Sequence, residues 1–410
     1  MSLEFNKLIE QVQTMGRYLG KRHQNASSRL QIALDWFFAA TDMEAIHERI
    51  KLVRDSSVSG YRGAAPLPRP HSELICGVGA APEPLTSGTI VAADGSQIYP
   101  DPHSPTPYYL INTGVFTYYC GEPRLPSQAT VPELFYSENA LQDKDGRLIN
   151  NQTVNARRSV AEMEALARQA WHERGDARPL IALHDGALLK FFGATDVAGS
   201  QDLERDYMEA LVKLRDVNAL LAGYVDRPRS TSLIAMLHLM SLSPDQVNDA
   251  NLKTNGEIEG LVDEMLFAHV LDPGERSAMM VQNSPQNREY KDRAGDDFEI
   301  AFFYINVSDS GHPVIARVDL PLWVARDPDA VDELHTLILA QCAIQGRRRY
   351  PYALTRADEL AYVSSLEKQQ VDQLIRIEML NNGVSPEATN KLQTKGLARG
   401  EKRQHRLRVG

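Results

Sequence analysis

Cysteine is nearly absent from this chain. Cys76, Cys120 and Cys342 are odd in number, far apart, and in no metal-binding spacing. They exclude a disulfide scaffold and a zinc ribbon, and read as reduced thiols in a cytosolic protein. Long hydrophobic runs are missing too. No apolar stretch approaches the ~18 residues of a membrane span, and the first residues carry no signal-peptide pattern. The expected setting is the cytoplasm, with no membrane partner. An excess of positive charge is also lacking: a formal net charge of -10 argues against a broad nucleic-acid-coating surface. It leaves room for a local basic groove around an acidic site. No fixed-period repeat and no low-complexity block is visible apart from a basic tail.

What is present is enough for a large core, since the chain has 410 residues and is 43% hydrophobic. Residues 1–57 read as an N-terminal helical segment. Its stripe of Leu3, Leu8, Ile9, Val12 and Met15 is followed by Leu30, Ile32, Ala33, Trp36 and Phe37. The stripe is expected either at an interface with a partner or folded back on the chain's own core. Residues 58–87, rich in Gly, Pro and Ala, read as a linker. A main domain is expected over 88–380, with a helical insertion at about 230–290. Residues 381–410 read as a disordered basic tail, in which Lys391 to Arg408 hold seven basic residues against Glu401.

Within the main domain, Pro107–Ile111 and Val115–Tyr119 read as two meander strands around Asn112-Thr113-Gly114. An extended piece follows near Ala129–Tyr136, then a helix over Val154–Arg174, stopped by Gly175. Further on come a helix over Asp202–Leu221, the strand Ala222–Val225, and a strand pair, Phe298–Val307 with Val314–Leu320. Helices over Asp329–Gln345 and Thr355–Met379 complete the pattern. The order strand, meander, helix, strand predicts an α/β fold, a mixed sheet flanked by helices.

Two phrases carry the chemistry. Ile90-Val91-Ala92-Ala93-Asp94-Gly95 and Leu180-Ile181-Ala182-Leu183-His184-Asp185-Gly186 are each an apolar run, the mark of a buried strand, that stops at Asp-Gly. A carboxylate at a strand end, followed by a glycine that turns the backbone away, is held rigidly at a sheet rim. Two of them suit a hard divalent cation. The intervening helix offers a third acid. Glu164 flanks the apolar stripe of Val160, Met163, Ala167 and Ala170, while Glu162 is expected nearer solvent. A last cluster runs from Arg347-Arg348-Arg349 through Tyr350-Pro351-Tyr352 to Asp358. Thr355 is a plausible N-cap there. Asp358 at its N3 position either completes a capping box or adds a fourth carboxylate. Tyr350 either holds a phosphate or water, or is core. Arg347, Arg348 and Arg349, with Arg227, are the candidate phosphate contacts.

Taken in order, Val91–Ser96, Ala161–Ala167, Leu183–Leu188, Ala222–Val225, Arg317–Trp323 and Tyr350–Leu354 resemble the NurA nuclease family over roughly residues 85 to 375. The resemblance implies a ribonuclease H-like fold, a manganese cofactor (magnesium being an alternative), DNA end resection in double-strand break repair, a homodimer, and partnership with the hexameric translocase HerA. It also implies Asp94, Glu164 and Asp185 as metal ligands and Tyr350 as an active-site residue. The chain departs from the family at Ala187, where serine is frequent, and at Asp358, where histidine is frequent. Manganese accepts oxygen and imidazole donors alike, so Asp358 can stand as the fourth ligand.

Two-metal phosphodiester cleavage is the leading expectation. A second is a catalytically weak adaptor that docks on the translocase and DNA. Retention of three costly clustered acids weighs against it. A third, a sugar-kinase or actin-like ATPase, would need glycine-rich phosphate loops, and neither Asp94 nor Asp185 is followed by one.

Overall fold

The N-terminal stripe forms one long helix, α1 (Asn6–Ala39), followed by α2 (Met43–Asp55), in the computed structural model. The structure describes residues 5–55, 61–104, 106–175, 179–193, 196–309 and 311–384. The basic tail beyond 384 therefore lies outside the described residues. α1 has two environments. Its first turns expose Ile9, Val12, Met15 and Tyr18, whereas Ala33 and Phe37 are fully buried beside Leu237, Phe267 and Tyr304. The second half of the helix thus folds back on its own core.

The segment expected to be a linker supplies β1 (Ala64–Pro66) and β2 (Val78–Gly79) instead. β1 is fully buried, and its proline sits in an edge strand, where a missing N–H is tolerated. Then come β3 (Gly88–Ile98), β4 (Tyr109–Cys120), β5 (Ser127–Phe135), α3 (Glu138–Leu141), α4 (Asn151–His172) and β6 (Leu180–Asp185). Asn150 caps α4 by accepting from the Thr153 N–H. α5 (Ser200–Asp216), β7 (Leu220–Asp226), α6 (Ser232–Ser241), α7 (Asp263–Val270), β8 (Arg276–Ser277), β9 (Met280–Gln282) and α8 (Pro285–Ala294) follow. The chain continues through β10 (Ile300–Asn306), β11 (Ile315–Pro321), α9 (Leu322–Ala325), α10 (Pro328–Ile344), α11 (Tyr352–Ala361) and α12 (Ser365–Asn381). No described helix is long and apolar enough to cross a membrane.

Two compact units result. One contains Ser87–His184, Lys190–Ala219 and the segment from Ala353. Here β3, β4 and β5 form an antiparallel meander, and β6 returns after α4 to run parallel to β3. The other contains the segment up to Thr86, Asp185–Leu189 and Leu220–Tyr352. Its centre is β10, every residue of which is buried, paired antiparallel with β11, β9 and β8. β7 extends this sheet from β11, and β1 extends it from β9. The fold class is α/β, with mixed strand pairing and flanking helices.

Three local expectations are corrected. Asn112-Thr113-Gly114 is no turn but the middle of β4. Gly114 is there because α11 lies against it: a Cβ would fall 2.6 Å from the Ala361 nitrogen and 2.8 Å from Leu360 Cβ. Asn112 extends the contact by donating to the Ala361 carbonyl at 2.8 Å. The helix read over Thr355–Met379 is two helices, broken where Ser364 and Glu367 form a capping box for α12. Residues 230–290, expected as a helical insertion, contribute to the core and the sheet. Leu233, Leu237, Leu266 and Phe267 are core, and β8 and β9 belong to the sheet.

Gly114→Ala should destabilise the protein by about 3 kcal/mol, because helix backbone cannot yield as a side chain would. Chemical denaturation that gives a loss under ~1 kcal/mol would mean that α11 sits further away. A second outcome concerns acid. Burial lowers the pKa of His335 to about 4, while its Nε2 pairs with the Gly274 carbonyl. The folded state favours neutral imidazole, so this contribution is complete above the ordinary pKa of 6.5 and is lost as pH falls toward about 4. Thermal melts of His335→Asn should show a shallower decline than the parent across that window.

Candidate active site

The two Asp-Gly phrases use their glycines differently. Asp94 is half-buried in the interior of β3, and its Oδ1 accepts the Gly95 N–H at 2.8 Å. The strand does not stop there but continues to Ile98. Gly95 is required by space: a Cβ would lie 2.7 Å from Glu162 Oε1 and 2.9 Å from Arg158 Cγ. Asp185 does end its strand. It is exposed, and Gly186 turns the chain with φ +96° while donating to the Tyr224 carbonyl at 2.8 Å. The parallel register pairs Ala93 with His184, so each member of one pair is followed in the chain by an aspartate.

The helix acids are the reverse of the expectation. Glu162 is 4% exposed, with Arg158 Nε 3.1 Å from its Oε1 one turn earlier. Glu164 is exposed, and its pKa is raised by partial burial and by Asp206 on α5. The cause of the error is the width of the buried face. α4 buries Glu162, Met163, Ala165, Leu166 and Ala167, far more than one stripe. Side chains alternate along a strand, and Asp94 is in register with Gly114, whose open side faces α11. Gly95 therefore looks toward α4 and Asp94 away from it. Glu164, exposed on α4, is therefore not on the side to which Asp94 points. Among the described residues no three His, Cys, Asp or Glu side chains form a metal cage.

One polar residue escaped the sequence reading. His184 is fully buried in β6, and neither ring nitrogen has a hydrogen-bond partner. Desolvation, with Lys190 and Arg158 adding repulsion, holds its pKa well below the ordinary value. The imidazole is neutral at physiological pH. Its signal in sequence was a lone polar residue closing an otherwise apolar strand.

The last cluster is divided. Tyr350 is half-buried, edge-to-face with Tyr224 at 5.3 Å. Arg349 takes the left-handed conformation, φ 50°, and forms an ion pair with Asp309. Arg347 and Arg348 are exposed. Arg227 is exposed too, with Asp226 Oδ2 3.8 Å from its Nε. Thr355 is no N-cap, because α11 begins at Tyr352, directly after Pro351. Asp358 is thus inside the helix, exposed, and completes no capping box.

The NurA domain family model matches residues 88–363, more than half of the chain. The chain belongs to the NurA family. The NurA match spans every candidate residue from Asp94 to Asp358. Similar solved structures include two of NurA. The NurA nuclease from Sulfolobus solfataricus is 14% identical with a TM-score of 0.49, over 74% of this chain and 88% of that one. NurA bound to dAMP and manganese is 14% identical with a TM-score of 0.38, over 91% and 98%. No curated protein matches the chain.

The two helix acids should separate experimentally. Glu162→Gln leaves Arg158 facing an uncharged partner under the α4 face, with an expected loss of about 1–3 kcal/mol in urea unfolding. Glu164→Gln should stay within ~0.5 kcal/mol of the parent. Equal losses would contradict the assigned orientation of the helix.

Proposed function

We propose that this chain is a divalent-metal-dependent deoxyribonuclease that processes DNA ends. Family membership supports the reaction class, and one observation carries the site: the parallel pairing of Ala93 with His184, each followed by an aspartate. Neighbouring strands run about 4.8 Å apart, a spacing that suits two carboxylates sharing hard cations. The meander β3–β4–β5 with β6 parallel beside β3 supports the ribonuclease H-like reading.

The donor set fits Mn2+, or Mg2+, in a particular way. Such ions are commonly held by one or two carboxylates and completed by water and substrate phosphate, so a full protein cage is not needed. Asp94 and Asp185 would hold the ion, with Asp358 as a further oxygen donor, whereas Glu162, buried toward α4 and paired with Arg158, takes no part in it. When bound, the cation supplies charge neutralisation at the scissile phosphate and a more acidic water. The protein's own part is to bind and orient. Arg347, Arg348 and Arg227 attract the backbone, and Tyr350, braced by Tyr224, offers a hydroxyl to a phosphate oxygen or water. A HerA-type hexameric translocase and a second copy are the proposed partners, in keeping with the family resemblance. The exposed stripe of α1 is the proposed contact for one of them. The adaptor reading is favoured by one fact, the lack of a three-ligand cage among the described residues.

Incubation of the full chain with end-labelled duplex DNA decides between them. Cleavage is expected with manganese, weaker with magnesium and absent in EDTA. Asp94→Asn should lower the rate at least about hundredfold with the fold intact. DNA binding without cleavage in every metal, with and without the translocase, would establish the adaptor instead.

A further inference from the structure

A cavity of about 320 Å³ opens in the unit that contains Asp185–Leu189, beginning directly after the second Asp-Gly at Ala187. Its walls are basic. Arg62, Arg229 and Arg317 line it, against Asp319 as the single acid. Arg317 is buried and fixed: Nε donates to Asp319 Oδ1 at 2.7 Å, Nη1 to Ser230 Oγ at 3.2 Å, and its Cζ sits 3.9 Å from the Phe302 ring centre. Asp319 is therefore already neutralised, and the lining keeps two positive charges, those of the exposed Arg62 and Arg229. Ser284, the N-cap of α8, and Gln286 in its first turn also line the cavity, so the positive end of that helix adds to the field.

We propose that this cavity binds a phosphate monoester, the free ion or the terminal phosphate of a nucleotide or DNA strand. Guanidinium forks match phosphate geometry. A monoester carries about −1.5 to −2 charges at neutral pH, matching the lining, whereas an internal diester carries one. The volume lies at the lower end of the ~300–1,000 Å³ of ligand pockets, enough for one mononucleotide and too little for a duplex. As a strand-end pocket it deepens the nuclease reading and rests on it only for the source of the phosphate: it would select ends that bear phosphate over ends that bear hydroxyl.

The test is calorimetric titration of the full chain, in EDTA and without sulfate, with inorganic phosphate, with dAMP, and with short strands ending in 5′-phosphate, 3′-phosphate or hydroxyls only. Saturable phosphate and dAMP binding is expected, weakened about tenfold or more in Arg62→Gln/Arg229→Gln, whose two sites are exposed and leave the fold intact. A phosphorylated strand that binds tighter than its hydroxyl counterpart assigns the pocket to strand ends, and phosphate binding without that preference assigns it to the free ion. Asp94→Asn should lose cleavage and keep phosphate binding, so failure of the nuclease reading and failure of this one are separable. Absence of saturable binding, or equal affinity in the double variant, overturns the proposal.

Discussion

In the unit that holds β3 and β4, the packing depends on how closely two helices approach one strand pair. α4 lies on one face of β3 and α11 on the opposite face of the β3–β4 pair, and each meets the sheet at a glycine. At Gly95 the space belongs to Glu162 and Arg158, and at Gly114 it belongs to the backbone of α11. Packing at that distance fixes which way every neighbouring side chain points, because alternation along a strand leaves no freedom once one residue is set. The direction of Asp94 is thus set by two residues that have no side chain.

The elements that were legible in sequence are those whose burial is one-sided or complete. β10 and β11 announced themselves as apolar runs, and α10 as a periodic helix. The Asp-Gly phrases marked the right strands. What misled was local reading of residues whose reason lies elsewhere. Asn112-Thr113-Gly114 has turn chemistry, yet it serves a helix more than two hundred residues away. The Pro-rich stretch at Ala64–Pro66 looks like a connector but pairs with Gln282–Met280. Long-range pairing overrides local preference in both cases. Glu162 and Glu164 were exchanged because a helix covered on two sides has no single stripe to read.

The underside of the β3–β6 pair is unusually polar for a buried layer. Glu162, Arg158 and His184 lie where apolar groups would give more stability. A neutral imidazole and a carboxylate paired with arginine add no net charge there, yet such polar burial is costly for a fold that needed nothing at that place.

α1 carries a different consequence. A helix standing on propensity alone is marginal at about 15 residues, and the exposed first half of α1 is of that order. Its order is inherited from the half that Ala33 and Phe37 anchor, propagating outward from a nucleus already formed. The free stripe is therefore pre-arranged for whatever seizes it: a ligand there would meet a helix whose nucleation had been settled by the core, and would need to supply only the ordering of the last few turns.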